Sequence, residues 1–211
     1  MKINRVMELK AAIEARTSVR VFSDEQVSLD DVKEMVRLAG LAPSVNNFQP
    51  WRYIAILNKD LLNRMAEVVT DKIENLPSSK SIAASNVKKQ VTWFSTFFKD
   101  APVVLVLITK PYETVLESAV ELTHDQINLL RNHPDIQSAG ASIQNILLAA
   151  VDMGYGACWL SGAMFAREEI EEMLKIKAPE KVLAFVVIGK PRSEHKPKIK
   201  PNLAESMEII A

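Results

Sequence analysis

The sequence is poor in the features that mark most specialised chain types. A single cysteine, Cys158, among 211 residues rules out an internal disulfide, which suits a reducing cytoplasm and excludes a secreted disulfide scaffold. Six glycines and ten prolines are too few for a collagen-like or low-complexity chain. No excess of either charge exists, because 26 Lys and Arg balance 26 Asp and Glu, so no global field would attract nucleic acid or an anionic membrane. The longest apolar runs, Val103 to Ile108 and Val182 to Ile188, fall far short of the roughly 18 residues of a membrane span. Residues Met1 to Ala15 interleave charges with Ile3, Val6, Leu9 and Ile13, so no signal-peptide core is present and the segment reads as an amphipathic helix. No cysteine pair exists and His124, His133 and His195 share no ligand spacing, which argues against zinc.

What is present alternates between two periods. Ser28 followed by Asp31 reads as a helix start of the capping-box kind, with Leu29, Val32, Val36 and Ala39 on one face and Pro43 as the stop. Further helices are expected over Lys59 to Val69, Ser81 to Lys99, Glu117 to Arg131, Gln137 to Asp152 and Arg167 to Lys175, with Gly154 and Gly156 ending the one from Gln137 to Asp152. Strands are expected over Trp51 to Leu57, Val103 to Ile108, Ala157 to Ser161 and Val182 to Ile188. Two wholly apolar strands require a sheet covered on both faces, which makes the class α+β or mixed α/β. From Lys190 onward, Pro191, Pro197 and Pro201 among many charges read as an extended arm on a single domain spanning 1–211.

Two segments carry candidate chemistry. In an extended Arg16-Thr17-Ser18-Val19-Arg20, residues two apart share a face, so two guanidiniums and a hydroxyl point one way. That face suits a phosphate, and it equally suits a solvated charged edge. In Ala42 to Trp51, Pro43 and Pro50 fix the backbone around Ser44, Asn47 and Gln49, short polar groups able to hold the edge of a heteroaromatic ring or to tie off a helix-to-strand connection. Cys158, between Ala157 and Trp159, reads as a buried small hydrophobe. Phe94, Phe97 and Phe98 read as the buried face of a helix, although with Trp93 they could wall a substrate. The small residues Ser138 to Ser142 allow close helix contact, within the core or across a dimer axis.

These residues resemble the FMN-dependent nitroreductase family. The resemblance rests on Arg16 to Arg20, Ala42 to Trp51, Gln144-Asn145-Ile146-Leu147-Leu148-Ala149-Ala150, Gly154-Tyr155-Gly156-Ala157-Cys158-Trp159, and Gly189-Lys190-Pro191, in the family's order across nearly the whole chain. It implies an α+β fold with a central mixed sheet flanked by helices, in an intertwined homodimer. It implies FMN as cofactor, with Arg16, Ser18 and Arg20 on the phosphate and ribityl chain. Thr17 stands where the family commonly has Arg or His. Pro43, Ser44 and Asn47 would reach the flavin of the other subunit; Leu160, Ser161 and Gly162 would sit against the isoalloxazine and offer an N–H to N5; Lys198 and Lys200 would lie near the phosphate. No residue stands out for the pyrimidine edge, where Lys88 and Lys89 are the available candidates. The implied activity is hydride transfer from NADH or NADPH through FMN to a nitroaromatic, quinone or similar flat acceptor by a ping-pong mechanism. Flavin fragmentation, reductive dehalogenation, or a non-catalytic FMN-binding carrier or regulatory protein are the alternatives.

Overall fold

The computed structural model describes residues 7–194 and 206–210. Its frame is a sheet of four strands, β1 (Trp51–Ile56), β2 (Val103–Thr109), β3 (Gly156–Leu160) and β4 (Lys181–Gly189), in the order β1-β2-β4-β3. The strands pair antiparallel throughout, and among the described residues parallel pairing enters only at the free edge of β3, through a bridge between Ser18 and Ala157. The helices are α1 (Leu9–Ala15), α2 (Leu29–Ala39), α3 (Lys59–Glu74), α4 (Ile82–Thr96), α5 (His124–Leu130), α6 (Pro134–Asp152) and α7 (Arg167–Met173).

The unbroken apolar run of β2 is explained by its central position. Val104, Val106 and Ile108 face Leu62, Met65 and Val69 of α3 and Ile170 of α7. The alternate residues Val103, Leu105 and Leu107 face Met35 and Ala39 of α2 and Ile143, Ile146 and Ala150 of α6. With both faces covered, each fully buried Leu or Ile contributes about 1.5–3 kcal/mol, and a one-residue slip would exchange the two layers without exposing either.

Several boundaries depart from the sequence expectations. Ser28 does cap α2, accepting from the Asp31 N–H at 3.4 Å, but the reciprocal half of a capping box is taken over by Tyr155. Its hydroxyl donates to Asp31 Oδ2 at 2.7 Å and accepts from the Ser28 N–H at 3.4 Å. The α2 helix stops at Ala39, ahead of Pro43, because its last carbonyls find side-chain donors on α6: Ser142 Oγ donates to the Ala39 carbonyl at 3.1 Å and Asn145 Nδ2 to that of Leu38 at 3.1 Å. Ser142, of the small residues 138–142, therefore serves packing within the chain. The α3 helix runs on to Glu74, and α5 begins only at His124, where Thr123 and Gln126 form a full capping box. Pro134 opens α6 in its first turn, three residues ahead of the expected start at Gln137. Of α1, only Ala12 is buried, while Leu9 and Ile13 stand exposed.

Candidate functional site

The segment from Arg16 to Ser23 is held on both sides. The Val19 N–H donates to the Ala157 carbonyl at 3.0 Å on the edge of β3. Farther on, the Ser23 N–H donates to the Lys190 carbonyl at 2.8 Å and the Arg192 N–H to that of Val21 at 3.2 Å, so the start of the C-terminal arm pairs with the same segment. Gly156 makes the docking possible, because a Cβ there would stand 2.6 Å from a Val19 methyl. Extended backbone separates the side chains as the period of two requires: Val19 is buried, Thr17 and Val19 line a hollow with Tyr155 and Pro191, and Arg20 points to the opposite side.

There Arg20 enters a cleft of about 450 Å³, within the range of ligand sites. One wall is a stripe of α4, Gln90, Val91, Phe94 and Ser95, spaced so that all four share a helix face. The other is the end of β3 and the 3₁₀ turn that follows, from Cys158 to Gly162, with Phe165 beyond. The guanidinium of Arg20 lies 5.4 Å from the centre of the Phe94 ring. Gly162 brings the turn onto α4, since a Cβ on it would meet Ser95 Oγ at 2.5 Å. At the start of such a turn the first backbone N–H groups have no intrahelical acceptor, and here that start borders the cleft. The cleft thus combines aromatic and aliphatic walls with a few polar groups, Arg20, Gln90 and the backbone at 161–162, a donor set that fits a flat heteroaromatic ring system such as that of FMN.

Of the residues singled out in the sequence, Arg20, Leu160, Ser161 and Gly162 come together in this cleft. Arg16 and Ser18 stay on the adjoining segment, half-buried, without lining it, and Thr17 faces the other way. Pro43 and Ser44 line a separate depression against Gln137, Ser138 and Ala141 of α6. Their loop is held by the Val45 N–H donating to Ser138 Oγ at 3.0 Å and the Gln49 N–H donating to Ser44 Oγ at 3.0 Å, with Asn46, Asn47 and Gln49 all at positive φ. Lys198 and Lys200 lie outside the described residues. Lys88 donates to the carbonyls of Glu74 and Leu76, closing the end of α3, and does not line the cleft.

Sequence reasoning missed Gln90, Val91, Ser95 and Phe165. No signal in the sequence marked them, because they meet the cleft through the approach of α4 to the turn at Gly162. Phe94 also differs from expectation. The helix ends at Thr96 and a 3₁₀ turn carries Phe97 and Phe98 into the core, so the three rings do not share one face and Phe94 remains 41% exposed toward the cleft. Cys158 is buried at the back of the cleft, as expected. Trp159, by contrast, is 43% exposed and spans from the cleft to α6 at Gly140.

The sequence profile of the Nitroreductase family matches residues 13–190, and the chain belongs to that family. It is similar to a "Putative NADH dehydrogenase/NAD(P)H nitroreductase" of Archaeoglobus fulgidus, 29% identical over 86% of this chain and 84% of the relative. It is also similar to iodotyrosine deiodinase 1 of Sus scrofa, 25% identical over 91% of this chain and 64% of that protein. Among solved structures, a BluB-like flavoprotein from Clostridium difficile 630 is 32% identical, with 97% of this chain and 100% of that one covered and a TM-score of 0.85. A nitroreductase with bound FMN from Desulfitobacterium hafniense shares the fold at 20% identity, with 97% and 100% coverage and a TM-score of 0.74. No helix among the described residues is long and apolar enough to cross a membrane.

Proposed function

We propose that the protein is an FMN-dependent oxidoreductase of the cytoplasm that passes hydride from NADH or NADPH to a nitroaromatic, quinone or similar flat acceptor by a ping-pong mechanism. The observation that carries the reading is the meeting of Arg20 with the turn at Leu160 to Gly162 in one ring-sized cleft, in a chain of the nitroreductase family. When bound, FMN supplies the two-electron chemistry, so the chain needs no nucleophile, metal or general acid of its own.

The residues bind and orient. Backbone N–H groups at Ser161 and Gly162 would donate to the central nitrogen of the ring system, and the Arg20 guanidinium, with Gln90, would hold its polar edge, where a fixed positive charge favours the electron-rich form. Arg16 and Ser18, on the same segment, would hold the phosphate, the role that the resemblance also gives Lys198 and Lys200. That Arg20 lines the cleft and Arg16 does not supports giving Arg20 to the ring and Arg16 to the phosphate.

We infer a homodimer. Pro43, Ser44 and Asn47 do not line the cleft of their own chain. Exposed apolar side chains on α1 (Leu9 67%, Ile13 53%) and α5 (Leu129 64%, Leu130 73%) lack cover in one chain, and a second copy would bury them while bringing its 43–47 loop to the ring.

Steady-state turnover with NADH and NADPH against a nitroaromatic, a quinone and an iodinated phenol tests the reading. Parallel double-reciprocal lines are expected with the first two acceptors, and intersecting lines would contradict ping-pong. The deiodinase relative favours reductive dehalogenation as a second reading, which predicts turnover of the iodinated phenol alone. Absence of turnover with every acceptor, despite bound FMN, would leave the carrier alternative.

A further inference from the structure

Beyond Arg20 a second hollow opens, of about 660 Å³, between residues 20–24, the start of α3, the end of α4 and Arg192. Its chemistry differs from that of the cleft. Four cations border it, Arg20, Lys59, Lys99 and Arg192, against two carboxylates, Asp24 and Asp100, an excess of two positive charges in a chain whose formal charge is zero. Among the described residues, none of the four forms an ion pair within 4.0 Å. Lys59 instead donates to the carbonyls of Ala101 at 2.6 Å and Lys99 at 3.4 Å, which fixes its position, and its charge feels Asp100 and Asp24 without closing an ion pair with either. The wall carries Trp93, whose ring is 49% exposed and held edge-on to Phe94 at 4.8 Å, with Phe97 behind it at 6.2 Å. Unpaired cations beside a fixed, half-open indole suit a ligand that joins phosphate to a flat base.

We propose that this basin receives the adenosine diphosphate part of NADH and NADPH while the nicotinamide reaches the adjoining cleft. The inference rests on the function proposed above. Arg16 and Ser18, assigned there to the FMN phosphate, do not border the basin, so one anion site does not serve both ligands. The chain has no Gly-rich dinucleotide loop, and an open, charged basin suits a nucleotide that docks, gives up hydride and leaves.

The test combines binding and kinetics on the FMN-loaded protein, with ADP and with 1-benzyl-1,4-dihydronicotinamide, a donor that has no phosphate. ADP is expected to compete with NADH and NADPH and to quench tryptophan fluorescence, with the quench lost in Trp93→Leu. Removing two solvent-screened charges in Lys99→Ala/Arg192→Ala is expected to raise KM for NADH and NADPH about five- to tenfold. The same variant should keep its kcat, its FMN affinity and its KM for the phosphate-free donor. Unchanged KM values, or ADP that does not compete, would overturn the proposal, and weakened FMN affinity would give the basin to the FMN phosphate instead. A wild-type protein that binds ADP through Trp93 yet oxidises neither nucleotide would support the basin and overturn the oxidoreductase reading.

Discussion

Gly162→Ala should loosen the junction on which the cleft depends, and the size of the effect follows from the geometry. The added methyl would stand 2.5 Å from Ser95 Oγ and 3.1 Å from Ser95 Cα and Cβ. The first contact is well inside van der Waals distance and Ser95 is only 3% exposed, so either α4 or the turn must shift. Overpacking of this kind costs about 1–3 kcal/mol. Ser95→Ala deletes the nearest atom, leaving contacts of 3.1 Å that a small displacement relieves, so Gly162→Ala should cost about 1 kcal/mol less in that background. Urea denaturation of the FMN-free single and double variants measures the coupling, and titration with FMN shows whether the turn at 160–162 has moved. Equal costs in the two backgrounds, or a Gly162→Ala protein as stable as wild type, would show that the approach of Ser95 does not demand glycine there.

Other outcomes follow from the same structure. Arg20→Ala should weaken FMN binding by about ten- to a hundredfold, the effect of losing a charge-assisted contact of about 1.5–3 kcal/mol; titration showing unchanged affinity would remove Arg20 from the ring site. Burial pushes the Tyr53 hydroxyl up to about 12, against the opposing effect of its 2.7 Å hydrogen bond with Ser142. Because the folded value is raised above the ordinary one near 10, this contribution to stability is full below about pH 10 and is lost as pH rises toward 12. Melting temperatures measured from pH 9 to 11.5 should therefore fall more steeply in wild type than in Tyr53→Phe, and identical slopes would refute the assignment. For the dimer, a tagged heterodimer of Arg16→Ala/Arg20→Ala with Asn47→Trp chains should keep one site of normal FMN affinity, since both lesions fall in the other; two impaired sites would contradict a shared site.

The β2 and β4 strands were legible because a continuous β-branched run has one comfortable home, a strand covered on both faces, and the observed strands exceed the expected ones by one residue at the end of β2 and one at each end of β4. Helix ends were less so. The true start of α5 was written in Thr123-x-x-Gln126, yet the expected helix begins at Glu117, where the chain forms only a 3₁₀ turn. The stop of α2 was not local at all, since it depends on Ser142 and Asn145, a hundred residues away in the chain by the 103 and 107 positions that separate the partners. The same division holds at the site. The alternation in 16–20 revealed the side from which Arg20 reaches out, but Val21 is exposed and Phe22 buried, so the period slips where the arm pairs with the segment. Gln90, Ser95 and Phe165 join the cleft only through the contact of α4 with the turn at Gly162, a tertiary approach that no spacing along the chain expresses.

The central claim is that the cleft at Arg20 and Leu160 to Gly162 holds FMN and that a nicotinamide reduces it there. Anaerobic stopped-flow absorbance of the FMN-loaded protein tests it most directly. Mixing with NADH or NADPH should bleach the flavin band, a nitroaromatic added afterwards should restore it, and Arg20→Ala protein should need a much higher FMN concentration to show either change. A protein that fails to take up FMN, or one whose bound flavin keeps its absorbance in the presence of both nucleotides, would contradict the claim.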